Sequence, residues 1–192
     1  GFTAASRKTK GVGLQLYTIR DAMAKDVPGS LKKVAELGYK FVELADYNNG
    51  KFYGYTPKEF KKMVKELGMI ANSSHTQVEA AGITLDNAKM MADAHAELGV
   101  EYCVQPWVND EDRTIEKYKK MIGDWNEVGR IMKDVGIQFG YHNHNFEFVS
   151  IDGVVPYYDI FMPEMDGLEA TRRIRRAESG SGTRVLIVAL TA

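Results

Sequence analysis

The chain has one cysteine in 192 residues and almost no net charge, a formal −1 at pH 7. A single thiol excludes an internal disulfide and leaves the compartment open. Cys103, set in Val100-Glu101-Tyr102-Cys103-Val104, reads as a small buried hydrophobe. Without a basic excess to neutralise phosphates, nucleic acid is excluded as the main partner. The short basic stretches Arg7-Lys8-Thr9-Lys10 and Arg172-Arg173 read as a solvated arm and a solvated helix face. No apolar run approaches the ~20 residues that span a bilayer, so no membrane partner is expected. The opening Gly1-Phe2-Thr3-Ala4-Ala5-Ser6 has neither an initiator Met nor a full apolar stretch of an export signal. It fits a tag remnant or the residue of a trimmed signal. What remains, 44% hydrophobic and 27% charged residues, is the composition of a soluble globular domain. Its compartment is cytoplasmic if the chain is recombinant, or outside the cell if it descends from an exported parent.

What is present is a repeat. Ala35-Glu36-Leu37-Gly38, Lys65-Glu66-Leu67-Gly68 and Ala96-Glu97-Leu98-Gly99 are near-identical helix ends, and Lys133-Asp134-Val135-Gly136 is a variant. Gly in this place adopts the left-handed conformation that ends a helix without a Cβ clash. A short apolar strand is predicted after each: 41–44, 69–72, 102–104 and 137–140. A first strand is predicted over 13–17. Leu31, Val34, Ala35 and Leu37 recur at helical spacing, as do Phe60, Met63, Val64 and Leu67. Thr56-Pro57-Lys58-Glu59 spells a capping box with Pro in the first turn. Thr84 and Thr114 open the next two helices in the same style. A unit of ~30 residues is a parallel βα repeat, hence an α/β fold with function at the C-terminal ends of the strands.

The unusual residues gather at those ends: Glu43 with Asp46, His75, Gln105 with Trp107, and the run Tyr141-His142-Asn143-His144-Asn145-Phe146-Glu147. If the fifth strand continues, His142 and His144 share one face. His75 alone serves equally well as a structural hydrogen-bonder or a ligand, and His95, in mid-helix, reads as structural or solvent-facing. So many polar groups at one strand end have little packing purpose.

Gly13-Leu14-Gln15-Leu16-Tyr17-Thr18-Ile19-Arg20-Asp21, Phe41-Val42-Glu43-Leu44-Ala45, Ser73-Ser74-His75 and Gly140 to Phe148 together resemble the sugar phosphate isomerase/epimerase family of xylose isomerase-like TIM barrels. The likeness covers about residues 11–156 and implies a partial TIM barrel, the first five βα units of eight. It implies metal-assisted proton transfer beside a sugar carbonyl, with Mn²⁺, Mg²⁺ or Zn²⁺ as the divalent ion. By motif Glu147 corresponds to the first metal-binding Glu, and His75 and His142 to residues lining the sugar pocket. The other ligands would come from strands six to eight. A single carboxylate does not make a divalent site, so no bound metal is expected at Glu147.

The wording changes near residue 156. Asp159-Ile160-Phe161-Met162-Pro163-Glu164-Met165-Asp166-Gly167, then Glu169-Ala170-Thr171-Arg172-Arg173-Ile174-Arg175, then a strand ending Ala189-Leu190-Thr191-Ala192, resembles the response-regulator receiver domain. That resemblance covers about 157–192 and implies a flavodoxin-like fragment. It makes Asp159 the phosphoacceptor, Thr191 the switch hydroxyl and the Phe161 carbonyl a Mg²⁺ ligand. Tyr17 and Thr18 stand where a receiver carries its acidic pair, so Asp159 is expected to be a poor acceptor.

The resulting expectation is an arm over 1–10, a partial barrel over 11–156 and a receiver fragment over 157–192, packed as one domain. Functionally it reads as a recombined or engineered chimera without native catalysis. The alternatives are a residual metal-dependent sugar isomerase or epimerase, and a phosphoacceptor module. The strand predicted over 185–190 would be the sixth of a parallel sheet, preceded by a helix near 167–178. Asp152-Gly153 would turn a hairpin within 146–155. An incompletely closed barrel would leave an unpaired edge, so a homodimer is expected. A small sugar ligand is the remaining partner of interest.

Overall fold

In a computed structural model of the chain, residues 11–76 and 82–162 are described. Five strands form one parallel sheet in chain order: β1 (Gly13–Gln15), β2 (Phe41–Leu44), β3 (Ile70–His75), β4 (Tyr102–Gln105) and β5 (Gln138–Tyr141). Helices α1 (Arg20–Met23) and α2 (Val27–Glu36) follow β1. Helices α3 (Pro57–Glu66), α4 (Leu85–Leu98) and α5 (Ile115–Asp134) follow the next three strands. A doubly wound sheet reverses its strand order, whereas a barrel advances by one neighbour at each step. The described strands advance without reversal, as in a partial TIM barrel, and no flavodoxin-like continuation is seen among them.

Local chemistry explains the helix boundaries. At α3 the Thr56 amide donates to Glu59 Oε2 (2.8 Å) and the Glu59 amide to Thr56 Oγ1 (3.4 Å), with Pro57 in the first turn. The Thr84 amide donates to Asn87 Oδ1 (2.9 Å) ahead of α4, and Thr114 accepts from the Lys117 amide (3.3 Å) at α5. Gly38, Gly68, Gly99 and Gly136 have φ of +94°, +72°, +92° and +83° at the four helix ends. The apolar stripes then face the sheet, except that Leu37, past the end of α2, is exposed. Leu31, Val34, Phe60, Val64, Met91 and Leu98 join Val42, Leu44 and Cys103 in one buried cluster. Each large side chain so buried contributes about 1.5–3 kcal/mol of transfer free energy. A second cluster joins Tyr118, Ile122 and Trp125 of α5 to Ile160 and Phe161.

The structure departs from the sequence reading in four places. β1 ends at Gln15, and Leu16–Ile19 form a 3₁₀ turn that sends Leu16 into the core with no exposed surface. β3 starts one residue later than expected and runs on through His75. It carries a bulge: Val42 pairs with Ala71 but Glu43 pairs with Ser73, leaving Asn72 as the extra residue. A bulge re-aims every side chain after it. The hairpin within 146–155 reduces to one antiparallel bridge, Ile151 with Val154, across the left-handed Asp152 and Gly153. Phe146–Phe148 instead wind into a 3₁₀ turn, because the Glu147 carboxylate folds back onto the His144 amide. Lastly, Tyr157–Phe161, at the start of the stretch that resembles a receiver, form a wide helical turn. The arm over 1–10, the helix near 167–178, the strand over 185–190 and Thr191 lie outside the described residues.

Candidate functional site

Alternation along the strands decides which side chains meet. Gln15 on β1 pairs with Glu43 on β2, Glu43 with Ser73 on β3, and His75 with Val104 on β4. These residues therefore share the inner face of the sheet. The Asn72 bulge is what puts Ser73 and His75 there together. His142 lies one residue past β5, but its amide still donates to the Gln105 carbonyl (3.0 Å). The strand geometry thus extends far enough to bring its ring inward.

The side chains bond accordingly. Gln15 Nε2 donates to Glu43 Oε1 (2.6 Å), and Ser73 Oγ donates to Glu43 Oε2 (2.5 Å). Gln15 Nε2 also lies 3.1 Å from His75 Nδ1. An amide nitrogen only donates, so Nδ1 is the acceptor and the imidazole proton is assigned to Nε2. That Nε2 sits 3.4 Å from Glu43 Oε1. Burial lowers the His75 pKa and the nearby His142 adds to the effect, against the opposing pull of Glu43. Burial thus favours the neutral form of His75. A line of rings leads away from it, His75 to His142 at 5.0 Å and His142 to His144 at 4.7 Å. His144 is lowered in the same direction, first by burial and then by His142 and Arg113.

A cavity of about 470 Å³ opens between these groups, lined by Gln15, Tyr17, Ala45, His75, Trp107 and His142 among others. Trp107 is its aromatic wall. His144 and Phe146 meet the indole edge-on at 4.7 and 5.2 Å. Arg113 braces the same wall, its guanidinium 3.6 Å from the Phe146 ring centre and 4.8 Å from that of Trp107. The Arg113 donors are spent on the Val108 carbonyl (3.0 and 2.9 Å) and Asp110 (2.6 Å).

Other strand-end residues turn out to be structural. Gln105 is buried and ties two loops together, accepting from the Ile83 amide (2.9 Å) and donating to the Trp107 carbonyl (2.6 Å). His95 is wholly buried, 2.8 Å from Thr76 Oγ1 through Nε2 and 2.7 Å from the Met91 carbonyl through Nδ1. Its pKa is lowered to about 4 by burial. Cys103 is buried as expected, its thiol pushed up to about 12 by burial.

Glu147 does not reach the cavity. It has no exposed surface; its Oε1 accepts from the Tyr141 hydroxyl and its Oε2 from the His144 amide (2.7 Å). Tyr141 itself points outward, stacked on Trp125 at 5.0 Å and Phe161 at 5.1 Å. Burial raises the Glu147 pKa, and the bonds from Tyr141 and the backbone only partly oppose it. No group of three or more His, Cys, Asp or Glu side chains among the described residues is arranged to hold a metal ion. Glu147 has no exposed surface through which an ion could reach it, and so placed it does not fit the ligand role that the family resemblance gives it.

Asp159 likewise has a local task. Its carboxylate accepts from the Val155 amide (2.7 Å) within a helical turn, not at a strand end. The neighbouring Phe161 is buried against Tyr118 and Tyr141. Sequence reasoning passed over Gln15, Ser73 and Arg113 as site residues. It also passed over Tyr53, a left-handed residue (φ 51°) whose hydroxyl accepts from the amide of cavity-lining Ala45 (2.9 Å). Polar residues on or beside strands were the available signal for the first two. No described helix is long and apolar enough to cross a membrane.

Comparison with known proteins follows this geometry. A sugar phosphate isomerase/epimerase from Parabacteroides distasonis ATCC 8503 superposes with a TM-score of 0.69 at 30% identity, over 82% of this chain and 66% of its own length. A second protein of that description from the same organism gives 0.66 at 27% identity, over 89% and 74%. A xylose isomerase domain containing protein from Salmonella typhimurium LT2 shares the fold at 0.53 and 12% identity, over 72% and 53%. No curated protein matches the sequence. The xylose isomerase-like TIM barrel profile matches residues 31–166, running past the change of wording near 156. With that match spanning most of the chain, the protein belongs to the xylose isomerase-like TIM barrel family.

Proposed function

We propose that the cavity binds a small polyhydroxylated carbohydrate and that its polar wall transfers a proton beside the sugar carbonyl, a reaction of the isomerase or epimerase type. The observation that carries this reading is the convergence of Gln15, His75 and His142, from β1, β3 and the end of β5, onto one cavity of about 470 Å³, with Glu43 bonded to Gln15 and Ser73 beside them. A mostly apolar wall with a few convergent donors and acceptors is the usual makeup of a small-molecule site of this size. The names of the two Parabacteroides relatives favour a carbohydrate. Titration with D-fructose, D-xylose and their phosphates, followed by tryptophan fluorescence, tests it. Saturable quenching that is lost in Trp107→Leu is the expected result. No response to any of the sugars would remove the reading.

A second reading comes from the wording of residues 157–192, a receiver fragment fused to the barrel with Asp159 and Thr191 as its phosphoryl site. Acetyl phosphate labelling tests it, with loss of label in Asp159→Asn. Self-association through the edges of the sheet is proposed alongside. Light scattering across a wide concentration range would show a dimer, and a constant monomer mass would dismiss it.

A further inference from the structure

Two glutamates stand near the C-terminal ends of the strands, and only one of them keeps exposed surface, next to residues that line the cavity. Glu147 is sealed beneath Tyr141 with both oxygens occupied. The Glu43 side chain keeps 26% of its surface exposed, beside the cavity-lining Gln15 and His75. Two donors on neighbouring strands, Gln15 Nε2 and Ser73 Oγ, fix the plane of its carboxylate. A carboxylate offers about four lone-pair positions, so two remain for a substrate. Next to it stands an imidazole whose only proton is on the nitrogen facing the same space.

The geometry points to Glu43 as the proton-transferring carboxylate of this cavity, with the His75 Nε2–H as hydrogen-bond donor to the substrate's carbonyl oxygen. The assignment rests on the carbohydrate reading above. Glu43 removes the hydrogen from the hydroxyl-bearing carbon next to the carbonyl. The C–H electron pair becomes the new C=C bond and the carbonyl π pair moves onto oxygen. The product is an enediolate, whose negative oxygen His75 stabilises without giving up its proton. The proton now on Glu43 returns to the same carbon or, after a proton shift between the two oxygens, to its neighbour. No oxidant or reductant is consumed. A neutral imidazole suits this chemistry, since its N–H donates a hydrogen bond to the enediolate oxygen without giving up the proton. Burial and His142 keep His75 on the neutral side.

The test follows loss of substrate C–H signals from D-fructose in D₂O by NMR, using chain dialysed against EDTA. Exchange by the wild type is expected, slowed by about 100-fold or more in Glu43→Gln and about 10-fold or more in His75→Gln. Fructose affinity in Glu43→Gln should stay within about two-fold of wild type, because Gln keeps the shape and the Ser73 contact. Glu43→Asp, which retains the carboxylate, should keep part of the rate; it serves as the readout if Glu43→Gln does not fold. Wild-type exchange in Glu43→Gln overturns the assignment. Fructose binding without exchange in the wild type also overturns it and leaves the carbohydrate reading standing. Absence of binding takes down both.

Discussion

The inner and outer sides of the sheet each hold a glutamate and a histidine, and they use them for opposite purposes. Inside, Glu43 and His75 keep part of their surface exposed, His75 at the cavity and Glu43 beside it, and hydrogen-bond to side chains from adjacent strands. Outside, His95 on α4 and Glu147 in the turn after β5 are wholly buried. There they satisfy the backbone and the hydroxyls of Tyr141 and Thr76. Residue type alone does not separate the two pairs. What separates them is where the fold puts each, at the open inner face of the sheet or in the packed interior, and hence whether water or a ligand reaches them.

The largest expected effect contrasts the two glutamates. Glu147→Ala leaves the Tyr141 hydroxyl and the His144 amide unpaired in the interior and should cost about 3 kcal/mol in urea unfolding. Glu43→Gln, with its partners retained, should cost less than about 1 kcal/mol while removing exchange chemistry. Equal losses of stability would erase the distinction drawn here.

The histidines give a contrast in pH. His95 titrates at about 4 in the folded protein, against an unfolded value near 6.5. Between those values the unfolded chain binds more protons, so stability falls as the pH drops through that window. The full effect is on the order of 3 kcal/mol. His75 and His144 are shifted the same way, but their partial exposure makes their share smaller. Glu147 has the opposite sign. Its raised pKa contributes stability that is complete at low pH and lost as the pH rises through its folded value. Chemical denaturation from pH 7 to pH 4 should show the net decline, and His95→Gln should flatten it.

Thr76→Val probes the link between the two faces. Thr76 Oγ1 lies 2.8 Å from both His95 Nε2 and Ser74 Oγ, one residue after His75. Loss of that hydroxyl should cost about 1–2 kcal/mol, visible as a lower melting temperature. Fructose affinity should change little if the outer network only supports the strand. The smallest effect is the control. Lys89→Ala removes an exposed pair with Asp93 (3.0 Å) and should cost about 0.3–0.5 kcal/mol by the same melts.

Much of the fold was legible because its signals are local. Helix ends at Gly38, Gly68, Gly99 and Gly136, the Thr56 cap and the apolar stripes each depend on a few neighbouring residues. That His75 and His142 come to line one cavity was readable because strand ends in a βα repeat gather on one rim. The surroundings of Glu147 were not legible for a physical reason: a motif gives the identity of a side chain, not its partners. Here the Tyr141 hydroxyl and the His144 amide bind both carboxylate oxygens on the far side of the strand.

By itself the sequence determined the βα period, the helix caps, the order of the strands and the inventory of polar groups at their ends. Only the tertiary structure decided which of those groups meet. Gln15, Glu43, Ser73 and His75 belong to three strands separated by up to 60 residues of chain. Their contact depends on sheet register and on the one-residue bulge at Asn72. Shifting a strand by one residue turns every later side chain to the opposite face. Register is set by the packing of the whole sheet against its helices, so no local pattern in β3 announces that Ser73 and His75 turn inward to meet Glu43.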